Sequence, residues 1–406
     1  MHQRYVIYRA VFSSGERFPV LLYRDTYQPV LLPTRYVVDE RRQSKQSGTI
    51  DRDLRVIGWF YEWCDERGIG AEARLRSGEL FTKSEITGFC RYLRAGRKSN
   101  LIGSIGARSA TLSVEDSDES NFILAPATFN SYIGVVKDFL IWAAYEYIPR
   151  ATPSSEVQDT VDTAVTRITR AFHSTRKGGK RHAGRIGLSH EEIAELHEVI
   201  TPGSKRNPFK KSVQFRNYLI IILLLTTGIR RGELLKIKLK HLPFGTKTSL
   251  HIERAPDDQE DSRKREPQVK TNEREIPLPK RLGVDLWKYV QQCRKRGDHT
   301  YLFTSNRTGA PLDAAAVNWL FSFLVKKCLP HLKGRLYPHA LRHTFNNGFL
   351  EQAQILGLDQ ERRKEVQRYI NGWSEVSNMP DLYSRRVTEA QAMQVAEQFQ
   401  DSLYIF

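Results

Sequence analysis

The longest uninterrupted apolar run in the chain, Leu219 to Leu225, leads directly into Thr227-Gly228 and the pair Arg230-Arg231. A membrane span needs about 20 apolar residues. A run this short, closed by a glycine and followed by charge, reads as a buried helix inside a water-surrounded domain. At 406 residues the chain is long enough for two or three such domains, each with its own core. Lys and Arg number 63 against 46 Asp and Glu, a net charge of +17, which favours a polyanionic partner: nucleic acid or an anionic membrane surface. Cys64, Cys90, Cys293 and Cys328 are scattered, with no C-x-x-C, so neither a disulfide framework nor a cysteine zinc site is indicated. The start, Met-His-Gln-Arg, runs into alternating sequence rather than a signal-peptide core. A reducing, cytoplasmic location follows, nucleoid-associated in a bacterium, with no membrane partner.

Residues 1–48 read as a β-rich lead-in. Tyr5-Val6-Ile7-Tyr8 and Val20-Leu21-Leu22-Tyr23 flank the turn signal Ser13-Ser14-Gly15-Glu16, and strand character extends over residues 4–38. From Thr49 the period turns helical. Leu54, Ile57, Tyr61 and Cys64 share a face that stops near Gly68, and Thr82 with Glu85 forms a capping box. Phe129, Ile133, Val136, Leu140, Ala143 and Tyr147 then mark an amphipathic helix ending at Pro149. Residues 49–150 are therefore expected to form a small helical domain.

Residues 163–190 hold seven Lys or Arg and no Asp or Glu, so 151–186 reads as a flexible basic linker, with Arg176, Lys177, Lys180, Arg181 and Arg185 lying against phosphates. A second capping box, Ser189 with Glu192, opens residues 187–386, expected to be mainly α with a small antiparallel sheet at Leu250–Ile252 and Glu275–Leu278. Residues 387–406 read as a tail helix.

Neither a G-x-x-x-x-G-K-[ST] loop nor H-E-x-x-H occurs. His339 and His343 have zinc-ligand spacing, but a structural or phosphate-facing pair is the better reading. What stands out is an ordered set of basic and aromatic groups. Arg230 lies in Thr227-Gly228-Ile229-Arg230-Arg231-Gly232-Glu233-Leu234 and Lys270 in Val269-Lys270-Thr271-Asn272-Glu273-Arg274. His339 and Arg342 form H-x-x-R, and Gly372-Trp373 precedes Asp381-Leu382-Tyr383.

In this order the set resembles the tyrosine recombinase, or phage integrase, family over about residues 187–385. Residues 49–150 resemble that family's SAM-like core-binding domain. The resemblance implies a C-shaped clamp on double-stranded DNA recombination sites, built from the helical domain and a mixed α/β catalytic domain. It implies that Arg230, Lys270, His339, Arg342 and Trp373 are catalytic and that Tyr383 is the nucleophile. Glu233 and His343 would support them. Lys264 remains an alternative to Lys270. Two features depart from the family pattern: Trp373 stands where His is commoner, and the Trp373–Tyr383 spacing is one residue longer than is usual. An indole can donate a hydrogen bond but cannot shuttle a proton.

The residue types suit strand cleavage. Two arginines can make bidentate contacts to the non-bridging oxygens of a phosphodiester. A lysine can protonate the leaving 5′-oxygen, while His339 assists Tyr383 or holds a phosphate oxygen. A 3′-phosphotyrosyl link keeps the bond energy, so neither cofactor nor metal is expected. The resemblance further implies a homotetramer on synapsed DNA, with the tail docked in trans, a Holliday junction, and integration or excision of a mobile element. A second, accessory recombinase is left open. The competing readings are a catalytically silent DNA-binding protein on the same fold and a type IB topoisomerase-like relaxase.

Overall fold

The computed structural model describes residues 4–94, 124–151, 156–178, 187–243 and 248–381. The chain divides into two compact units, Met1–Arg181 and His182–Phe406. Both are mainly helical, and among the described residues each carries one two-stranded antiparallel sheet. No described helix is long and apolar enough to cross a membrane.

In the first unit, β1 (Tyr5–Val11) pairs with β2 (Arg17–Tyr23) about the Gly15 turn, with Val11 opposite Arg17. The expected strand character ends there. Leu31–Tyr36 forms a helix, α1, continued by a π turn over Val37–Arg41. The β-branched composition misleads because tertiary contacts override propensity. Leu32 and Tyr36, one helical turn apart, are both buried, and the Tyr36 ring packs on Phe139 and Trp142.

Helix α2 (Ser47–Asp65) buries the expected Leu54, Ile57, Tyr61 and Cys64, but also Val56, Trp59, Phe60 and Trp63. It is covered on more than one face because the hairpin lies across it. Leu21 sits so close that a Cβ on Gly58 would be 3.2 Å from it, and the Tyr5 hydroxyl donates to Asp65 at 2.8 Å. Residues 4–41 are thus integral to this unit's core, not a separate arm. Short α3 (Ala71–Arg76), then α4 (Lys83–Arg94), opened by the Thr82–Glu85 capping box, follow. Next comes α5 (Pro126–Ala151), with Pro149 inside its last turn.

The linker reading of 151–186 is corrected over most of its length. Val157–Thr175 is a regular helix, α6, packed on α4 and α5 through Val161, Ala164, Ile168, Ala171 and Phe172. Those apolar residues recur at helical spacing beneath the one-signed charge run, while Arg167 and Arg170 face solvent. Beyond the helix, Asn130 clasps the backbone of Lys177, accepting from its N–H at 3.0 Å and donating to its carbonyl at 2.8 Å.

The second unit begins with α7 (His190–Ile200) behind the Ser189–Glu192 capping box. Helix α8 (Lys211–Thr227) carries the apolar run through the centre of the core, with Leu219 to Leu224 buried. It stops at Gly228, and short α9 (Arg231–Lys236) follows. Strands β3 (Ser249–Ile252) and β4 (Arg274–Pro277) pair with Leu250 opposite Ile276. Helices α10 (Lys280–Gln292), α11 (Ala314–Lys327), α12 (Pro338–Ile355) and α13 (Gln360–Asn371) complete the unit, α12 lying against α8 and α13.

Candidate active site

The site starts where α8 ends. Gly228 adopts φ +62°, and a Cβ there would fall 2.2 Å from the Phe345 ring, so only glycine fits. The turn delivers Arg230 in extended conformation as N-cap of α9. Its backbone N–H donates to Glu233 Oε2 at 2.9 Å, and its guanidinium lies 3.4 Å from Oε1. Arg230 keeps 28% of its side-chain surface exposed, whereas Glu233 keeps none.

Glu233 is the hub. The Thr271 hydroxyl donates to Oε1 at 2.7 Å and Arg274 donates to Oε2 at 2.9 Å. Burial alone would raise this carboxyl. The guanidinium groups of Arg274 and Arg342, with the Thr271 hydroxyl and the Arg230 N–H, more than offset it and hold Glu233 below the ordinary value. Arg274 also donates to the Ile370 carbonyl at 2.8 Å and to Thr271 Oγ1 at 3.1 Å, tying β4 to the end of α13.

Arg342 lies on α12 with only 1% of its surface exposed. It donates to the Gly228 carbonyl at 2.6 Å and to Asn371 O at 3.3 Å, and its guanidinium lies 5.5 Å from the centre of the Trp373 ring. Trp373 is buried against Leu350 and Met379 and so forms an aromatic wall for the arginine. Beneath it runs a buried amide network. Asn346 donates to Arg342 O at 2.8 Å, and Asn371 and Gln367 donate to Asn346 Oδ1 at 2.6 and 3.1 Å. His339 and His343 are half-buried on α12 with ring centres 4.6 Å apart, edge to face.

Lys270 is exposed between buried Val269 and Thr271, in the irregular segment joining β3 to β4. Lys264 is exposed earlier in the same segment. The structure therefore gathers Arg230, Glu233, Arg342 and Trp373, with Lys270 next to one of the hub's donors. Arg176 and Lys177 are exposed at the end of α6, in the other unit. Tyr383, Lys180, Arg181, Arg185 and the tail 387–406 lie outside the described residues.

Sequence reasoning overlooked Thr271 and Arg274 as hub partners, and the Asn346–Gln367–Asn371 network. A signal for the first pair existed, since both stand in the same K-T-x-x-R segment as Lys270. Asn346, four residues after Arg342, was the corresponding signal for the network.

Comparison with known proteins agrees with this geometry. Residues 187–376 match the model of the phage integrase family. The chain is similar to tyrosine recombinase XerC of Staphylococcus epidermidis, 27% identical over 196 residues, covering 46% of this chain and 56% of that protein. It is also similar to the putative integrase/recombinase y4rF of Sinorhizobium fredii, 33% identical over 148 residues, covering 35% and 31%. These alignments thus span about half, or less, of the relatives' length. The fold is shared with the Tn1549 transposon integrase, solved in complex with circular intermediate DNA, at TM-score 0.50 and 18% identity, covering 89% of this chain and 98% of that one. By the matched model and the ordered residues of its second unit, residues 187–376 of this chain form a domain of the phage integrase family, the tyrosine recombinases.

Proposed function

We propose that this protein is a site-specific DNA recombinase that cuts and rejoins double-stranded DNA through a 3′-phosphotyrosyl intermediate. The observation that carries the reading is the grouping of Arg230, Arg274 and Arg342 around the single carboxylate of Glu233, which leaves a surplus of positive charge where Arg230 meets solvent. A phosphodiester oxygen is the natural counter-ion for such a surplus. Fixed guanidinium groups stabilise it most as charge builds on the phosphoryl oxygens.

In this scheme the Tyr383 oxygen attacks the phosphorus while Arg230 and Arg342 hold the non-bridging oxygens. The bond to the 5′-oxygen breaks, and Lys270 supplies the proton that makes it a hydroxyl. His339 accepts the tyrosine proton or steadies a phosphate oxygen. In the reverse sense, a 5′-hydroxyl from another strand attacks the phosphotyrosine, releases Tyr383 and passes through a Holliday junction. Four copies, each with its tail docked on a neighbour, would organise the two DNA partners, and the biological outcome would be integration or excision of a mobile element.

The test is covalent trapping on nicked duplexes drawn from a randomised pool. Wild-type protein should become linked to DNA, whereas Tyr383→Phe should bind but form no adduct. Trapping by the Phe variant would remove Tyr383 from its role.

A further inference from the structure

The segment from Glu253 to Glu273, between β3 and β4, is long for a stretch with no helix or strand of its own. Loops of that length in compact domains are either functional or disordered. This one is anchored by charges taken out of water. Lys236, at the last turn of α9, is buried and donates to Glu266 at 2.5 Å, with Asp258 and Asp261 at 3.5 and 3.9 Å. Glu266, whose side chain has no exposed surface, accepts the backbone N–H groups of Asp257 and Asp258 at 2.9 and 3.1 Å.

Around this pair, Arg263 binds Asp261 at 2.7 Å and the carbonyls of Leu235 and Leu312. The buried Tyr301 hydroxyl donates to Asp258 at 2.6 Å, and Lys238 reaches Asp258 at 2.8 Å. A buried ionic cluster of this kind rarely adds net stability over an apolar equivalent; its attested use is to fix one arrangement among several.

What it fixes lies four residues on. Glu266 holds the segment to the last turn of α9, while Thr271 and Arg274 hold it to Glu233 in the same short helix. Between the two anchors the backbone presses against the start of α9, since a Cβ on Gly232 would lie 2.3 Å from the Gln268 carbonyl. Lys270 stands in that bracketed stretch, and Arg230 caps the helix to which both anchors are fixed.

We propose that the Lys236–Glu266 pair is a positioning device that sets Lys270 in register with Arg230, so that proton delivery to the leaving oxygen depends on a salt bridge remote from the DNA. The proposal rests on the recombinase reading, with Lys270 as the general acid. Neither Lys236 nor Glu266 is assigned contact with substrate. Displacing an acid by a fraction of its hydrogen-bond length costs rate without costing affinity.

The experiment compares two duplexes of the sequence captured on wild-type protein in the trapping experiment. One carries the ordinary 5′-oxygen at the cleaved phosphate, and the other carries bridging sulfur, whose thiolate leaves without being protonated. Glu266→Gln should cleave the oxygen substrate about 10- to 100-fold more slowly than wild type, yet cleave the sulfur substrate at close to the wild-type rate. Lys270→Ala should show the same selective rescue, and the double variant should be no slower than Lys270→Ala alone, because both changes remove one function.

Tyr301→Phe, a gentler disturbance of the same cluster, should show the pattern at smaller amplitude, and it decides the matter should Glu266→Gln not fold. Equal slowing of both substrates, or no slowing of either, would overturn the proposal. Failure of wild-type protein to form an adduct with either duplex would instead overturn the recombinase reading.

Discussion

The backbone N–H of Asn272 donates to the carbonyl of Gly372 at 2.9 Å, so the segment that carries Lys270 and the segment that carries Trp373 are stitched by their main chains. That bond survives only while residue 372 has no side chain. Gly372 adopts φ +62°, and a Cβ would fall 2.7 Å from Arg274 Nη1, 2.8 Å from Asn272 O and 2.9 Å from Thr271 Cβ.

Gly372→Ala is therefore expected to destabilise the second unit by about 1–3 kcal/mol, through left-handed strain and displaced neighbours. Urea unfolding of the variant, followed by tryptophan fluorescence, should show the loss. A DNA-cleavage rate reduced more than the folded fraction explains should accompany it, because Arg274 and Thr271 both brace Glu233. An unchanged unfolding midpoint would count against this account.

Glu233→Gln should be costlier, by about 3–5 kcal/mol, because it leaves several guanidinium groups around a site with no compensating charge. The same residue fixes a pH dependence. Its folded-state pKa lies below the ordinary 4.5, so its contribution is fully present above about 4.5 and is lost as pH falls through the folded value. The melting temperature of wild-type protein should fall steeply below that pH. In Glu233→Gln the part of this slope that belongs to Glu233 should be missing.

Much of this architecture could be read from the residues because short-range rules sufficed. Both capping boxes, the Gly15 turn, the strand character of β3 and β4 and the helix stop at Gly228 each depend on a few neighbouring side chains. The reading failed where the deciding contact was distant. Tyr36 looks like a strand residue until Phe139 and Trp142 supply a surface for a helical turn. In 157–175 the charge run hid Ala164, Ile168 and Phe172, on a helix packed against α4 and α5. In the site, Arg230, Glu233, Arg342 and Trp373 were named from their order along the chain. Arg274 was not: the K-T-x-x-R segment marks it but does not show that its guanidinium will be buried, because its carboxylate stands 41 residues upstream.

Salt should govern binding. With about eight to ten phosphates contacted, log K against log salt should have a slope of about −0.9 per contact, and a slope shallower than about −3 on captured duplex would contradict so broad an interface. Replacing Arg176 and Lys177 together, both exposed at the end of α6, should make the slope less steep by about two contacts' worth without altering cleavage once DNA is saturating.

The tail yields a prediction from sequence alone. Were the tail helical, as its sequence pattern predicts, Met393, Ala396, Phe399 and Leu403 would fall on one stripe, followed in the sequence by Tyr404, Ile405 and Phe406. If that stripe docks on a neighbouring copy in a closed ring, deleting residues 388–406 should leave single-site binding intact and abolish both the synaptic complex and strand exchange. Normal recombination by the truncated protein, measured on a two-site plasmid, would refute the trans contact.

The distances in sequence behind the Glu233 hub also bear on how the protein is made. The carboxylate meets Thr271 and Arg274, 38 and 41 residues later, and the Gly228 carbonyl receives Arg342 only 114 residues after it is synthesised. Contacts of such long range close late, whereas a helix set by its own local signals, such as α4 behind the Thr82–Glu85 capping box, can form while the chain is still emerging from the ribosome. A nascent or prematurely terminated chain would therefore carry exposed basic helices before the Glu233 hub was assembled. On the proposed function, the order of synthesis would itself be a safeguard: the chain could touch nucleic acid before it could break it.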